Sequence, residues 1–127
     1  MKTILLIDDE HAIREVPTEI LALMGYRVHL ADDGDTSLKE AINIRPDVIL
    51  SDVNMPNMNG IIMLEELKQR FGREEMPVFI IISAKVEPAS IEQGIAAGAD
   101  AYITKPFDHN YLVEVIEEQL AKRVPRN

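Results

Sequence analysis

Three short runs in this chain, Ile4-Leu5-Leu6-Ile7, Val48-Ile49-Leu50 and Val78-Phe79-Ile80-Ile81-Ile82, are apolar at every position, with no polar alternation. A strand of this kind has no face to offer water, so both of its faces must be covered. The longest run falls far short of the roughly 20 residues that cross a bilayer, so the cover has to be protein. Strands buried on both sides belong in a parallel sheet with helices packed above and below it.

The rest of the chain supplies those helices. Strands are expected at Thr3–Ile7, Arg27–Leu30, Asp47–Leu50, Val78–Ile82 and Ala101–Ile103, and amphipathic helices at about 11–24, 35–43, 60–70, 89–97 and 110–122. Strand and helix alternate five times, and parallel neighbours joined by helices cross over right-handed. The reading is an α/β fold, a flavodoxin-like (βα)5 doubly wound sandwich with parallel strands ordered 2-1-3-4-5 and helices on both faces. Gly25, Gly72 and Gly98 are placed to end helices, and Asp108 to cap the fifth. In that last helix Tyr111, Leu112, Val115, Ile116 and Leu120 form the expected buried stripe. Pro17 falls inside the first helix, where it should produce a kink, unless the helix starts later with Pro17 in its first turn. A chain of 127 residues accommodates one domain, expected over 1–122, with 123–127 as a polar tail or the start of a linker.

Composition narrows the function. Thirteen Lys and Arg against 22 Asp and Glu give a formal charge of −9, which disfavours direct contact with nucleic acid or an anionic membrane surface. With no cysteine there is no disulfide, thiolate metal site or thiol nucleophile, and the start Met1-Lys2-Thr3 lacks a signal-peptide pattern. A cytoplasmic location is expected.

In such a sheet every strand delivers its carboxyl end to one edge, where a ligand binds. The residues leaving those ends are polar: Asp8, Asp9 and Glu10 after the first strand, Asp52 after the third, Ser83 after the fourth and Lys105 after the fifth. If the first and third strands are neighbours, as in the order 2-1-3-4-5, Asp8, Asp9 and Asp52 would converge. At about 5 Å and an effective dielectric of about 20, each carboxylate pair repels by roughly 3 kcal/mol, so the cluster requires a cation or raised pKa values. An all-oxygen set suits a hard ion such as Mg²⁺, which leaves coordination positions open to a phosphoryl group. The Lys105 ammonium and the Ser83 hydroxyl add charge and a hydrogen bond for phosphoryl oxygens. Asp52, at a central strand end, is the expected nucleophile, able to form an aspartyl phosphate.

These residues at these spacings resemble the receiver domain of two-component response regulators. The match is carried by Ile7-Asp8-Asp9-Glu10, by Asp52-Val53-Asn54-Met55-Pro56-Asn57-Met58-Asn59-Gly60, by Ser83-Ala84, and by Gly98-Ala99-Asp100 leading to Tyr102 and Lys105-Pro106. The resemblance implies that Asp52 accepts a phosphoryl group from phosphohistidine on a sensor histidine kinase or histidine phosphotransfer protein. It further implies Mg²⁺ held by Asp9 and Asp52, by the backbone carbonyl of Asn54, and by Asp8 largely through water. Lys105 would contact the phosphoryl group ahead of a cis bond to Pro106, while Ser83 and Tyr102 act as the switch pair. The shifted surface would comprise the fourth helix, fifth strand and fifth helix, read by a downstream effector protein or domain. Asn54 and Lys85 flank the route of attacking water and would tune phosphoryl lifetime.

Two other functions compete. A phosphatase of the haloacid dehalogenase type also uses an Asp after a strand, but it places a general acid two residues on, where this chain has Asn54. A receiver-like interaction module that is never phosphorylated would keep the fold without the chemistry. The favoured reading is a phosphoacceptor switch that assists its own phosphorylation and autodephosphorylation but is not an enzyme acting on other substrates.

Overall fold

The computed structural model describes residues 2–7, 18–31, 34–52, 54–55 and 58–123. Five parallel strands form the main sheet: β1 Thr3–Ile7, β2 Arg27–Ala31, β3 Val48–Ser51, β6 Val78–Ser83 and β7 Ala101–Thr104. Between β3 and β6 the two-residue strands β4 Asn54–Met55 and β5 Met58–Asn59 pair antiparallel. The sheet order is β2-β1-β3-β6-β7, which is 2-1-3-4-5 when the parallel strands alone are counted. The helices are α1 Thr18–Leu23, α2 Gly34–Ile44, α3 Gly60–Glu75, α4 Pro88–Ala97 and α5 His109–Ala121. Pro17, where a kink is expected, lies outside the described residues.

The continuous apolar runs fill both faces of the sheet. Ile4, Leu6, Val48, Leu50, Val78, Ile80 and Ile82 join Leu21 of α1 and Leu112, Val113, Val115 and Ile116 of α5 in one core. Their neighbours Leu5, Ile7, Ile49, Phe79 and Ile81 face the other way, onto Ala41 of α2 and Met63, Leu64 and Leu67 of α3. Each such side chain contributes about 1.5–3 kcal/mol relative to an exposed position, so a polar residue on either face of these strands would be costly.

Local signals end the helices where expected. Gly72 (φ 72, ψ 175) breaks α3 before its last few residues, and Gly98 (φ 117) closes α4 in the left-handed region, with its N–H bonded to the Ile95 carbonyl. The Asp108 carboxylate accepts the Asn110 N–H at 2.7 Å at the start of α5. The expected stripe on α5 is corrected at one position: Tyr111 is 52% exposed, and Val113 is buried in its place. These two residues lie about 100° to either side of Leu112, and the helix is rolled so that the Val113 side meets the sheet.

Arg123, just past α5, is tied to the body of the domain. Its guanidinium donates to the Met76 carbonyl at 2.7 Å and to Asp100 at 2.8 Å, while Asp100 also accepts the Phe79 N–H at 2.9 Å. Among the described residues no helix is long and apolar enough to cross a membrane.

Candidate phosphoacceptor site

The site begins with the register of the central strands. Ile7 is opposite Ser51, and Ser83 opposite Thr104, so β1, β3, β6 and β7 end along one edge. Asp52 is the first residue past β3, where its amide donates to the Ile7 carbonyl at 3.4 Å. The buried Ser51 hydroxyl donates to the Asp52 carbonyl at 2.9 Å, holding the chain where it leaves the strand. From the far side of β6, Lys105 enters past the end of β7 and brings Nζ to 3.4 Å from Asp52 Oδ2. Both side chains are mostly buried, 19% exposed for Asp52 and 15% for Lys105. Direct attraction at that distance is on the order of 5 kcal/mol at an effective dielectric of about 20, offset in part by the desolvation of both groups.

Ser83 anchors two of the neighbouring segments. Its carbonyl accepts the Lys105 N–H at 2.9 Å, and its buried hydroxyl oxygen accepts the Lys85 N–H at 3.1 Å. Accepting through oxygen leaves the Ser83 O–H free to donate. The peptide bond from Lys105 to Pro106 is cis. Tyr102, half-buried on β7, donates its hydroxyl to the Lys85 carbonyl at 2.9 Å. The Lys85 side chain is exposed, so this residue meets Ser83 and Tyr102 through its backbone.

Of the sequence-derived site residues, the structure therefore brings Asp52 and Lys105 into contact and links Ser83, Lys85 and Tyr102 through one peptide segment. Asn54 opens β4, two residues past Asp52. Asp8 and Asp9 lie outside the described residues. Among the described residues, no group of three or more His, Cys, Asp or Glu side chains could hold a metal. Ser51 was not singled out as a site residue from sequence; a polar residue closing the apolar run Val48-Ile49-Leu50 was the available signal.

A sequence profile of the response regulator receiver domain matches residues 4–117. The chain belongs to the response regulator receiver domain family. This receiver domain is 37% identical over 127 residues to the phosphate regulon transcriptional regulatory protein PhoB of Pseudomonas aeruginosa, covering 98% of this chain and 54% of that protein. It is 36% identical over 117 residues to the regulatory protein AtoC of Escherichia coli, covering 92% and 25% respectively. The receiver domain thus spans about half, or less, of the length of the curated relatives it matches. Among solved structures, the CheY-like receiver domain protein of Methanospirillum hungatei superposes with a TM-score of 0.84 at 30% identity, covering 96% of this chain and 95% of that one. The chemotaxis response regulator CheY4 of Vibrio cholerae gives 0.82 at 30% identity, covering 93% and 98%. The fold is thus that of a two-component signalling switch.

Proposed function

We propose that this receiver domain is a phosphorylation-activated switch of a two-component phosphorelay, with Asp52 as phosphoacceptor. The observation that carries this reading is the mostly buried Asp52 carboxylate held 3.4 Å from the Lys105 ammonium at the edge where the strands end. A carboxylate oxygen of Asp52 attacks phosphorus, and the bond to the phosphohistidine nitrogen of a kinase or phosphotransfer protein breaks, leaving its electron pair on that nitrogen. Lys105, already beside the nucleophile, shifts its ammonium onto the phosphoryl oxygens as charge gathers there. Ser83 retains an O–H with which to donate to the same group.

The donor set would suit a magnesium ion: Asp8, Asp9, Asp52 and the Asn54 carbonyl would offer oxygen alone, the chemistry a hard divalent cation selects. When bound, Mg²⁺ supplies charge neutralisation for the carboxylates and the phosphoryl oxygens. Asn54, two residues past Asp52, and Lys85, two past Ser83, would flank the path of water to the phosphoryl group and tune how long it lasts. The output is a changed surface on α4, β7 and α5, read by an effector protein or domain.

The Asp52–Lys105 contact favours this reading over an interaction module without phosphate chemistry, since a mostly buried ion pair is weak evidence for stability but well suited to phosphoryl transfer. The test is intact-protein mass after incubation with acetyl phosphate. One phosphoryl group is expected with Mg²⁺, and none with a chelator or in Asp52→Asn. An unmodified wild-type chain under the first condition would overturn the proposal.

A further inference from the structure

Ile81 and Tyr102 are register partners on β6 and β7, and α4 crosses above them. The one residue α4 buries is Gly94. A Cβ built there would meet Ile81 Cδ1 at 2.8 Å and the Tyr102 ring at 3.1 Å and 3.4 Å. The first distance is closer than real contacts allow, and the second requires the ring to give way. Helix propensity argues against glycine in the middle of α4, so its presence calls for a packing reason. The side chains packed against it are Ile81 and the Tyr102 ring.

We propose that Gly94 is a positioning residue for Tyr102: by leaving a notch in α4, it allows the ring to lie where the hydroxyl reaches the Lys85 carbonyl. The two neighbours differ in exposure. Ile81 is fully buried and can respond only by turning its terminal Cδ1 methyl within the core, whereas Tyr102 is half-exposed and can swing outward. A methyl group at position 94 needs the Ile81 methyl to turn and, in addition, the Tyr102 ring to shift or α4 to lift; the second response weakens the bond from the hydroxyl to the Lys85 carbonyl. Because Lys85 also donates to the Ser83 hydroxyl, the notch then bears on the phosphoacceptor site. This last step rests on the phosphoacceptor reading above; the placement of the ring does not.

The test uses the full chain without phosphodonor. Ring resonances of Tyr102 in Gly94→Ala are compared with wild type by NMR, and again in Gly94→Ala combined with Ile81→Val, which removes the methyl group nearest the new Cβ. Displaced resonances that persist in the double variant are expected. Unmoved resonances in a folded Gly94→Ala, or a displacement cancelled by Ile81→Val, would overturn the proposal. A second readout is the rate of labelling by acetyl phosphate, expected to change by about 5-fold or more in Gly94→Ala, within the range of allosteric coupling. That change should vanish in a Tyr102→Phe background, because the affected hydroxyl is then absent. A rate effect that survives there contradicts action through the hydroxyl. If no variant is labelled at all, the phosphoacceptor reading fails, while the ring resonances still decide the role of Gly94.

Discussion

Asp52 and Lys105 meet although 53 positions separate them, because each is the first residue past a parallel strand and those strands end at the same edge. Replacing Lys105 by Gln keeps most of the side-chain volume and removes the charge. Labelling of Asp52 by acetyl phosphate is expected to slow by about 10²- to 10³-fold, the range for deleting one preorganised group that stabilises developing charge. A labelling rate within a few-fold of wild type would remove Lys105 from the chemistry. Asp108 has a different task, capping α5 with a 2.7 Å bond to the Asn110 N–H. Asp108→Ala should cost about 1 kcal/mol, read as a lower urea midpoint with an unchanged slope. This cap was legible in the sequence because it depends on residues two apart. The exposure of Tyr111 was not, because the roll of α5 is set by the sheet beneath it.

The strands were the clearest part of the sequence. Ile4 to Ile7 and Val78 to Ile82 announce burial on both faces by composition alone, and the structure divides them between two cores. The hairpin of β4 and β5 gave no such signal, since two residues per strand establish no period. Burial also separates the helices. α5 buries four apolar residues and has an Asp108 cap, whereas α4 buries only Gly94, and Glu87 at its start makes no capping bond through its side chain. Amide hydrogens in α4 should therefore exchange well before those in α5, and β1, β3 and β6 should exchange last. Equal protection of α4 and α5 would show that the two helices open together, against the view of α4 as the more readily displaced element.

Strand order connects the fold to its function. Counting βα units and applying right-handed crossovers places the ends of the parallel strands along one edge, whereas the neighbours that bring Asp52, Ser83 and Lys105 together follow from the order β2-β1-β3-β6-β7, which counting alone does not fix. What this counting could not provide was the loop path: the Lys85 peptide between two hydroxyls, the notch at Gly94, or the tie from Arg123 to Asp100. Those depend on the angles at which α4 and α5 dock, which sequence periodicity leaves open. If the carboxylates hold Mg²⁺ in the native state only, the ion should raise stability, by about 2.7 kcal/mol at 100 times its dissociation constant. A thermal melt should show this gain in wild type and lose most of it in Asp52→Ala. The most direct measurement locates the phosphoryl group itself. After acetyl phosphate and Mg²⁺ treatment, borohydride reduction converts an aspartyl phosphate to homoserine, and peptide mapping identifies where. The account predicts homoserine at position 52 alone; an intact Asp52, with the label on another side chain, would contradict it.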